Sequence, residues 1–177
     1  YAEANAVTIA RWLQIMTDRL FPTWDERGFF VKVDGRGGVY RCLDYRGPDY
    51  PITVATLSHE KLSIMVDGCL ALHRVTGEDR YLRRALQLGT WFKSCLALKD
   101  GHYEWMSWVP AGPWDVSPDK EDGWKVGWIA PDPNAAWYVA SLSIALNLYQ
   151  HGLLFDDEDL QRFIETQKTM CWNGDME

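Results

Sequence analysis

The stretch VDGCLALHRVTGEDRYLRRALQLGTWF, residues 66–92, contains two helical patterns on either side of a short turn. The apolar spacing before the turn predicts a helix over residues 58–75. Gly77 then supplies the left-handed conformation that commonly ends a helix. Acidic residues after it open a second pattern, which predicts an amphipathic helix over residues 79–98. The stretch therefore predicts a tight hairpin of two antiparallel helices.

The same order, an apolar helix followed by an amphipathic one, is repeated nearer the C-terminus. Residues 134–151 contain no Asp, Glu, Lys or Arg and predict an inner helix that its neighbours cover on most sides. Residues 157–170 carry charged side chains opposite an apolar stripe, which is typical of an outer helix. The first hairpin has the same plan. Two such hairpins are the unit from which an α/α barrel is built.

Two further elements precede the first hairpin. Apolar residues at helical spacing predict a helix over residues 2–20, and Pro22 interrupts the pattern. The turn residues D-G-R-G-G then lie between two short apolar runs, which predicts a β-hairpin near residues 29–45. We expect an all-α chain with this one short β excursion.

The first hairpin resembles one that recurs in the α/α-toroid carbohydrate enzymes, which include six-hairpin glycosidases, unsaturated-glucuronyl hydrolases, sugar epimerases and toroid polysaccharide lyases. In these proteins a helix ending in an L-x-R-x-T-G turn is followed by an acidic residue, by R-Y-L and by an outer helix. The matching residues are Leu72, Arg74, Thr76, Gly77, Asp79, Arg80, Tyr81 and Leu82. The resemblance implies a toroid of helical hairpins and specifies an activity less well, because non-catalytic helical-repeat proteins share the unit.

Toroid enzymes close a full ring, whereas the helices predicted here make only part of one. The chain is expected to form a single domain over residues 1–177. Three interpretations remain open: part of a longer protein, a trimmed domain, or a half-toroid that self-association with a second copy completes.

Composition excludes several kinds of partner. The chain is 47% hydrophobic, which suffices for a core, and its formal charge of −7 comes without any basic stripe. Nucleic acids and anionic membranes are therefore not expected to bind. No window approaches the roughly 20 apolar residues of a membrane-spanning helix, and the N-terminus lacks the plan of a signal peptide. We expect a soluble protein, either cytoplasmic or exported with its signal already removed.

Metals and cofactors are not expected from the cysteine and histidine pattern. The four cysteines form no C-x-x-C pair, and the four histidines are equally dispersed, so no zinc spacing is present. The cysteines are expected to be buried free thiols.

Tryptophans are concentrated in the segment 102–128, which is rich in glycine, proline and charge. If helices 58–75 and 134–151 are inner helices, segments 21–57 and 99–133 both lead into inner-helix N-termini and emerge at the same end. By resemblance to the toroid enzymes, this end carries the substrate cleft. Pyranose C–H faces lie flat on aromatic rings, so the tryptophans are expected to wall a groove for an oligo- or polysaccharide, with packing into a core as the alternative. They are Trp105, Trp108, Trp114, Trp124 and Trp128.

Two carboxylates in this segment are candidates for acid–base catalysis. In extended H-Y-E-W, His102 and Glu104 lie on one side and Tyr103 and Trp105 on the other. A carboxyl among tryptophans is desolvated, which raises its pKa and makes Glu104 a candidate general acid. Asp115 is the second carboxylate. The pair predicts a glycoside hydrolase, whereas the alternative is that Glu104 accepts hydrogen bonds that order the loop.

Other residues suggest a different chemistry. His59, at the start of an inner helix, is a candidate base for a polysaccharide lyase or sugar epimerase, with Tyr103 or Tyr40 returning the proton. Asp67 is a charge within a mostly apolar helix, either facing the cleft as a substrate-binding group or buried and hydrogen-bonded. A third alternative is a non-catalytic helical-repeat module that binds glycans or a protein.

Overall fold

The computed structural model describes residues 2–42, 55–126, 131 and 138–171. The chain is mostly helical, as the sequence predicts. In chain order its elements are α1 (Ala2–Ile15), α2 (Phe21–Glu26), β1 (Phe30–Val33), β2 (Gly37–Tyr40), α3 (His59–Thr76), α4 (Asp79–Ser94), β3 (Ala97–Lys99), β4 (His102–Glu104), α5 (Tyr138–Gln150) and α6 (Asp157–Thr166). Among the described residues, no helix is long and apolar enough to cross a bilayer.

The N-terminal helix differs from its prediction at its C-terminal end. A π-helical turn, Met16–Leu20, follows α1, and α2 begins immediately after it. Pro22 therefore does not stop the helical path. It is the second residue of α2, directly after the π-helical turn, so the hydrogen bond that proline cannot donate falls where the regular helical pattern is already interrupted.

The predicted β-hairpin is confirmed over its described part. Strands β1 and β2 pair antiparallel, with Phe30 opposite Tyr40 and Val33 opposite Gly37. The hairpin packs on α4 so closely that a Cβ on Gly37 would overlap the backbone carbonyl oxygen of Gln87. Gly37 also has a φ of 88°, which only glycine adopts readily. Glycine at this position thus allows the sheet to approach the helix.

The helical hairpin of α3 and α4 is confirmed, including its turn. Gly77 has a φ of 71°, and its N–H donates to the carbonyl of His73 at 2.8 Å. The two helices, together with α5, form a core whose fully buried members include Leu62, Val66, Tyr81, Leu88, Trp91, Phe92, Ile144 and Leu148.

Helix α5 runs parallel to α3. The side chain of Asn147 donates to Asp67, and Arg74 contacts His151, so residue numbers rise together along both helices. Helix α4 packs behind both, since a Cβ on Gly89 would overlap the side chain of Leu148.

The face of α3 and α5 that lies opposite α4 is open, which corrects the expectation that both helices are covered on most sides. On α3, Ile64 is 68% exposed and Val75 63%, and on α5, Val139 is 75% exposed. A helix that is apolar on most sides, such as α5, needs packing partners on all of those sides to be buried. The described residues do not supply partners on the side opposite α4.

Helix α6 begins as predicted and ends slightly differently. Asp156 caps it by accepting from the backbone N–H of Asp159 at 2.9 Å, and a π-helical turn, Gln167–Cys171, extends it. The prediction of buried free thiols holds in part. None of the four cysteines, all of which lie in the described part of the chain, forms a disulfide, but only Cys69 is buried and Cys171 is exposed. Burial raises the pKa of the Cys69 thiol to about 12, so this side chain is an apolar core group at neutral pH.

Candidate functional site at the N-terminus of helix α3

The two segments expected to share one end of the molecule do meet, at the N-terminus of α3. The backbone N–H of Thr56 donates to Asp115 at 2.7 Å, and the backbone N–H of His59 donates to the carbonyl of Ser107 at 3.0 Å. We refer to this region, residues 55–60 together with residues 106–126, as the loop junction.

Asp115 is the most constrained carboxylate of the loop junction. It ends a 3-10 turn, Pro113–Asp115, and is 0% exposed. It accepts four hydrogen bonds: two from Thr56, and one each from the backbone N–H groups of Ala111 (2.8 Å) and Gly112 (3.2 Å). Oδ2 accepts three of these bonds and Oδ1 accepts the one from the backbone N–H of Thr56, so both oxygens are hydrogen-bonded within the protein. Asp115 therefore orders the loop, and its oxygens are inaccessible in this structure.

Thr56 is the centre of the junction, and the sequence gives no signal for it. Besides its bonds to Asp115, its carbonyl accepts from the indole N–H of Trp108 at 2.8 Å, and its hydroxyl accepts from that of Trp114 at 3.0 Å. A buried threonine with this many partners is recognisable only when segments far apart in the chain are brought together.

Two of the predicted groove tryptophans are buried. Trp105 is 3% exposed and stacks on Tyr138 with ring centroids 5.3 Å apart. Edge contacts to Phe92 and Phe163 complete its surroundings. Trp108 is 2% exposed. Neither ring forms an exposed wall, because both fill space between the loop and the helices, the packing alternative considered from the sequence.

Trp114 and Trp124 are the half-exposed tryptophans of the loop junction. The guanidinium carbon of Arg41 lies 5.2 Å from the centroid of the Trp114 ring, a distance typical of a cation–π contact. Trp124 makes an edge contact with Trp108 at 6.4 Å. Trp128, the remaining predicted groove residue, lies outside the described residues.

Glu104 lies on the predicted side of its strand but in a different electrostatic environment. Its Oε1 is 3.4 Å from Nε2 of His102, which confirms that these two side chains share a face. The same oxygen is 3.0 Å from Nζ of Lys99. The hydrogen bond from Lys99 lowers the pKa of Glu104, so the prediction of a raised pKa is wrong. The register of β3 and β4 is responsible, since it places Lys99 directly opposite His102.

Tyr103 and Tyr40 make contacts away from His59. The Tyr103 hydroxyl donates to Asp159 at 2.6 Å and accepts from Arg162 at 3.0 Å, so it connects β4 to α6. The Tyr40 hydroxyl donates to Asp25 at 3.0 Å. Burial raises the pKa of both phenols, which makes them poor proton donors at neutral pH. The structure shows no contact between either of them and His59 among the described residues.

His59 is 1% exposed and lies edge-on to the ring of Phe92, with centroids 5.0 Å apart. Neither ring nitrogen has a hydrogen-bond partner among the described residues, and the same is true of the buried hydroxyl of Ser107. Burial lowers the pKa of His59 to about 4. The imidazole is therefore neutral at pH 7.

Asp67 is neither buried nor part of the loop junction. It is on the exposed side of α3, more than two helical turns beyond His59, and accepts from the side-chain amide of Asn147. The flank of α5 partly desolvates it, and this raises its pKa.

In the part of the chain that the structure describes, no group of three or more His, Cys, Asp or Glu side chains is arranged to hold a metal ion. Comparison with protein-family models, with curated proteins and with solved structures found no match for this chain. The function of the chain is therefore inferred from the geometry of its own residues.

Proposed function

We propose that the protein is carbohydrate-active and that it contacts an oligo- or polysaccharide at the loop junction, through the rings of Trp114 and Trp124. The observation that carries the proposal is that both rings keep part of their surface exposed while contacts to buried groups hold them in place. A fixed, partly exposed indole offers a flat apolar surface to the C–H face of a sugar.

The anchoring of Trp114 favours binding because it lowers the conformational entropy that the side chain loses when a ligand binds. Its indole N–H donates to Thr56, which in turn is held by Asp115. A side chain that is already immobilised loses little rotamer freedom when a ligand binds, and such ordering otherwise costs about 0.5–1.5 kcal/mol per side chain. Arg41, beside the same ring, supplies charged N–H donors for sugar hydroxyls or carboxylates.

The arrangement of α3, α4 and α5 agrees with the proposed toroid relationship. Two parallel helices with an antiparallel helix packed behind them are what consecutive hairpins of an α/α toroid would produce. The N-terminal end of α3, where the loop junction lies, corresponds to the substrate end that the resemblance implies.

Binding is better supported than hydrolysis through Glu104 and Asp115. A general acid must hold a proton near neutral pH, whereas the contact with Lys99 lowers the pKa of Glu104. Asp115 is fully buried and both of its carboxylate oxygens are hydrogen-bonded within the protein, so neither is exposed to a water molecule or a sugar carbon. For this chain to act as a glycoside hydrolase through these residues, the loop junction would have to rearrange.

Proton abstraction by His59 is the second candidate, supported by its neutral, unpartnered ring. The chemistry would be that of a lyase or epimerase, in which a base takes the proton beside a uronate carboxylate. The ring is buried in this structure, so a substrate would have to open the site first.

The test is calorimetric titration of the full chain with neutral and uronate-containing oligosaccharides, together with assays for reducing ends and for the ultraviolet absorbance of unsaturated uronates. Trp124→Ala should weaken binding about tenfold, whereas Trp12→Ala, which removes a tryptophan that is 61% exposed on α1, should leave it unchanged. Absence of binding across the panel would overturn the proposal. If the protein turns over a substrate and Glu104→Gln abolishes this turnover, the glycoside hydrolase is the better interpretation. If His59→Gln abolishes the turnover, the lyase or epimerase is favoured.

A further inference from the structure

A groove of about 430 Å³ lies between the C-terminal halves of α3 and α5, on the face opposite α4. Its volume is within the range of small-molecule sites in proteins. The residues that matter for its chemistry are Asp67, Ala71, Arg74, Asn147, Gln150 and His151. It is separate from the loop junction, which lies at the other end of α3.

The groove contains one acidic and one basic side chain that form no ion pair with each other. Asp67 and Arg74 share a face of α3 but are two turns apart, roughly 10 Å along the helix axis. Among the described residues, neither takes part in an ion pair. Ala71 lies between them and presents only a methyl group. The groove therefore has a negative end, an apolar middle and a positive end.

The negative end accepts hydrogen bonds. The amide of Asn147 donates to Asp67, which leaves the amide oxygen and the second carboxylate oxygen as acceptors. The flank of α5 desolvates the carboxyl enough to raise its pKa, so a cation beside it would be favoured. An ammonium group meets both requirements, because it carries a positive charge and only donors.

The positive end donates hydrogen bonds. Nδ1 of His151 lies 2.8 Å from the carbonyl oxygen of Asn147, so this nitrogen carries the proton and Nε2 accepts from Arg74 at 3.4 Å. This contact orients the guanidinium and uses one of its five N–H donors. The donors that remain suit a carboxylate.

We propose that this groove binds an extended zwitterion of the ω-amino acid class, with its ammonium group at Asp67 and Asn147, its aliphatic spacer across Ala71 and its carboxylate at Arg74. A ligand with separated charges complements a groove with separated charges, whereas a simple anion or cation leaves one end unpaired.

The experiment is a two-dimensional ¹H–¹⁵N NMR titration of the full chain with 6-aminohexanoate, and with hexanoate and hexylammonium as half-ligands. 6-Aminohexanoate should bind at least tenfold more tightly than either half-ligand, with the amide signals of α3 and α5 shifting. In the Asp67→Asn variant, 6-aminohexanoate should bind no more tightly than hexanoate. In the Arg74→Gln variant, it should bind no more tightly than hexylammonium. Arg83→Gln, an equal charge change on exposed α4 surface, should leave it intact.

Three outcomes would overturn the proposal. Hexanoate or hexylammonium binding as tightly as 6-aminohexanoate would show that only one end of the groove acts. Shifts that persist in both groove variants would place the ligand elsewhere, and absence of saturable shifts would mean that the groove binds no zwitterion. Because Asp67 and Arg74 are both exposed, both variants are expected to fold, and thermal unfolding of each checks this.

Discussion

Thr56 donates two hydrogen bonds to Asp115, from its backbone N–H at 2.7 Å and from its hydroxyl at 2.8 Å, although 59 positions separate the two residues in the chain. This pair joins the segment before α3 to the tryptophan-rich loop. Because both side chains are buried, the pair determines where Trp108 and Trp114 lie.

Asp115→Ala should destabilise the protein strongly. The substitution leaves the buried donors of Thr56 and the partly buried N–H groups of Ala111 and Gly112 without an acceptor, and each unsatisfied buried group costs about 1–3 kcal/mol. We expect a loss of about 3 kcal/mol or more in the free energy of unfolding, measured by urea denaturation. Asp119→Ala, at an exposed position of the same loop, should change stability by less than about 0.5 kcal/mol. Equal losses in the two variants would contradict the structural role of Asp115.

Gly37→Ala tests the approach of the β-hairpin to α4. The added Cβ overlaps the Gln87 carbonyl oxygen, and φ of 88° is unfavourable for alanine, so we expect a loss of roughly 2–4 kcal/mol. Gly35 is the matched control. It also has a positive φ, 67°, but a Cβ there meets nothing within 4 Å, so Gly35→Ala should cost only about 1 kcal/mol. Chemical denaturation that ranks Gly35→Ala as the more damaging change would exclude this packing.

His59 should make stability depend on pH. Its folded pKa of about 4 is below the ordinary value of 6.5, so between these values the unfolded chain binds a proton that the folded chain does not. Stability contributed by this group is complete above pH 6.5 and falls by about 1.4 kcal/mol per unit as the pH decreases toward 4.

His59→Leu should remove this slope. The measurement is the free energy of unfolding of both proteins from pH 8 to pH 4, with pH 8 as the internal reference, because the imidazole is neutral in both states there. The difference between the two proteins should shift in favour of the variant as the pH falls. A difference that is constant across the range would mean that His59 is accessible to protons in the folded state.

Lys99→Gln should raise the pKa of Glu104, because the hydrogen bond from Lys99 is the main cause of its lowering. Carbon-13 NMR titration of the Glu104 carboxyl measures the effect directly. Lys168→Gln breaks a comparable pair with Glu165 on the surface and should leave the Glu104 titration unchanged. If the Glu104 pKa does not move in Lys99→Gln, the ion pair is absent in solution.

Most of the fold that can be predicted from the sequence depends on local patterns of residues. The turn at Gly77, the start of α6 and the common side of His102 and Glu104 all depend on residues within a few positions of each other, where helix and strand periodicity act directly. Pro22 is the exception, because proline at a helix start and proline after a helix end look alike in a local pattern.

The candidate site was less predictable, because its properties come from long-range contacts. The pKa of Glu104 is lowered by Lys99 on the paired strand, and the sequence alone suggested desolvation by tryptophans instead. The burial of Trp105 depends on Tyr138 and Phe163, each more than thirty positions away in the chain.

The sequence by itself thus determined the helical hairpins, the β-hairpin and the end of the molecule at which the two loop segments meet, because spacing and chain direction are sufficient for these. Only the tertiary structure decided which tryptophans are core and which are exposed, that Thr56 holds Asp115, and that Asp67 and Arg74 line a groove with α5. These depend on which surfaces are buried together, and burial is a property of the packed chain that no local stretch of residues encodes.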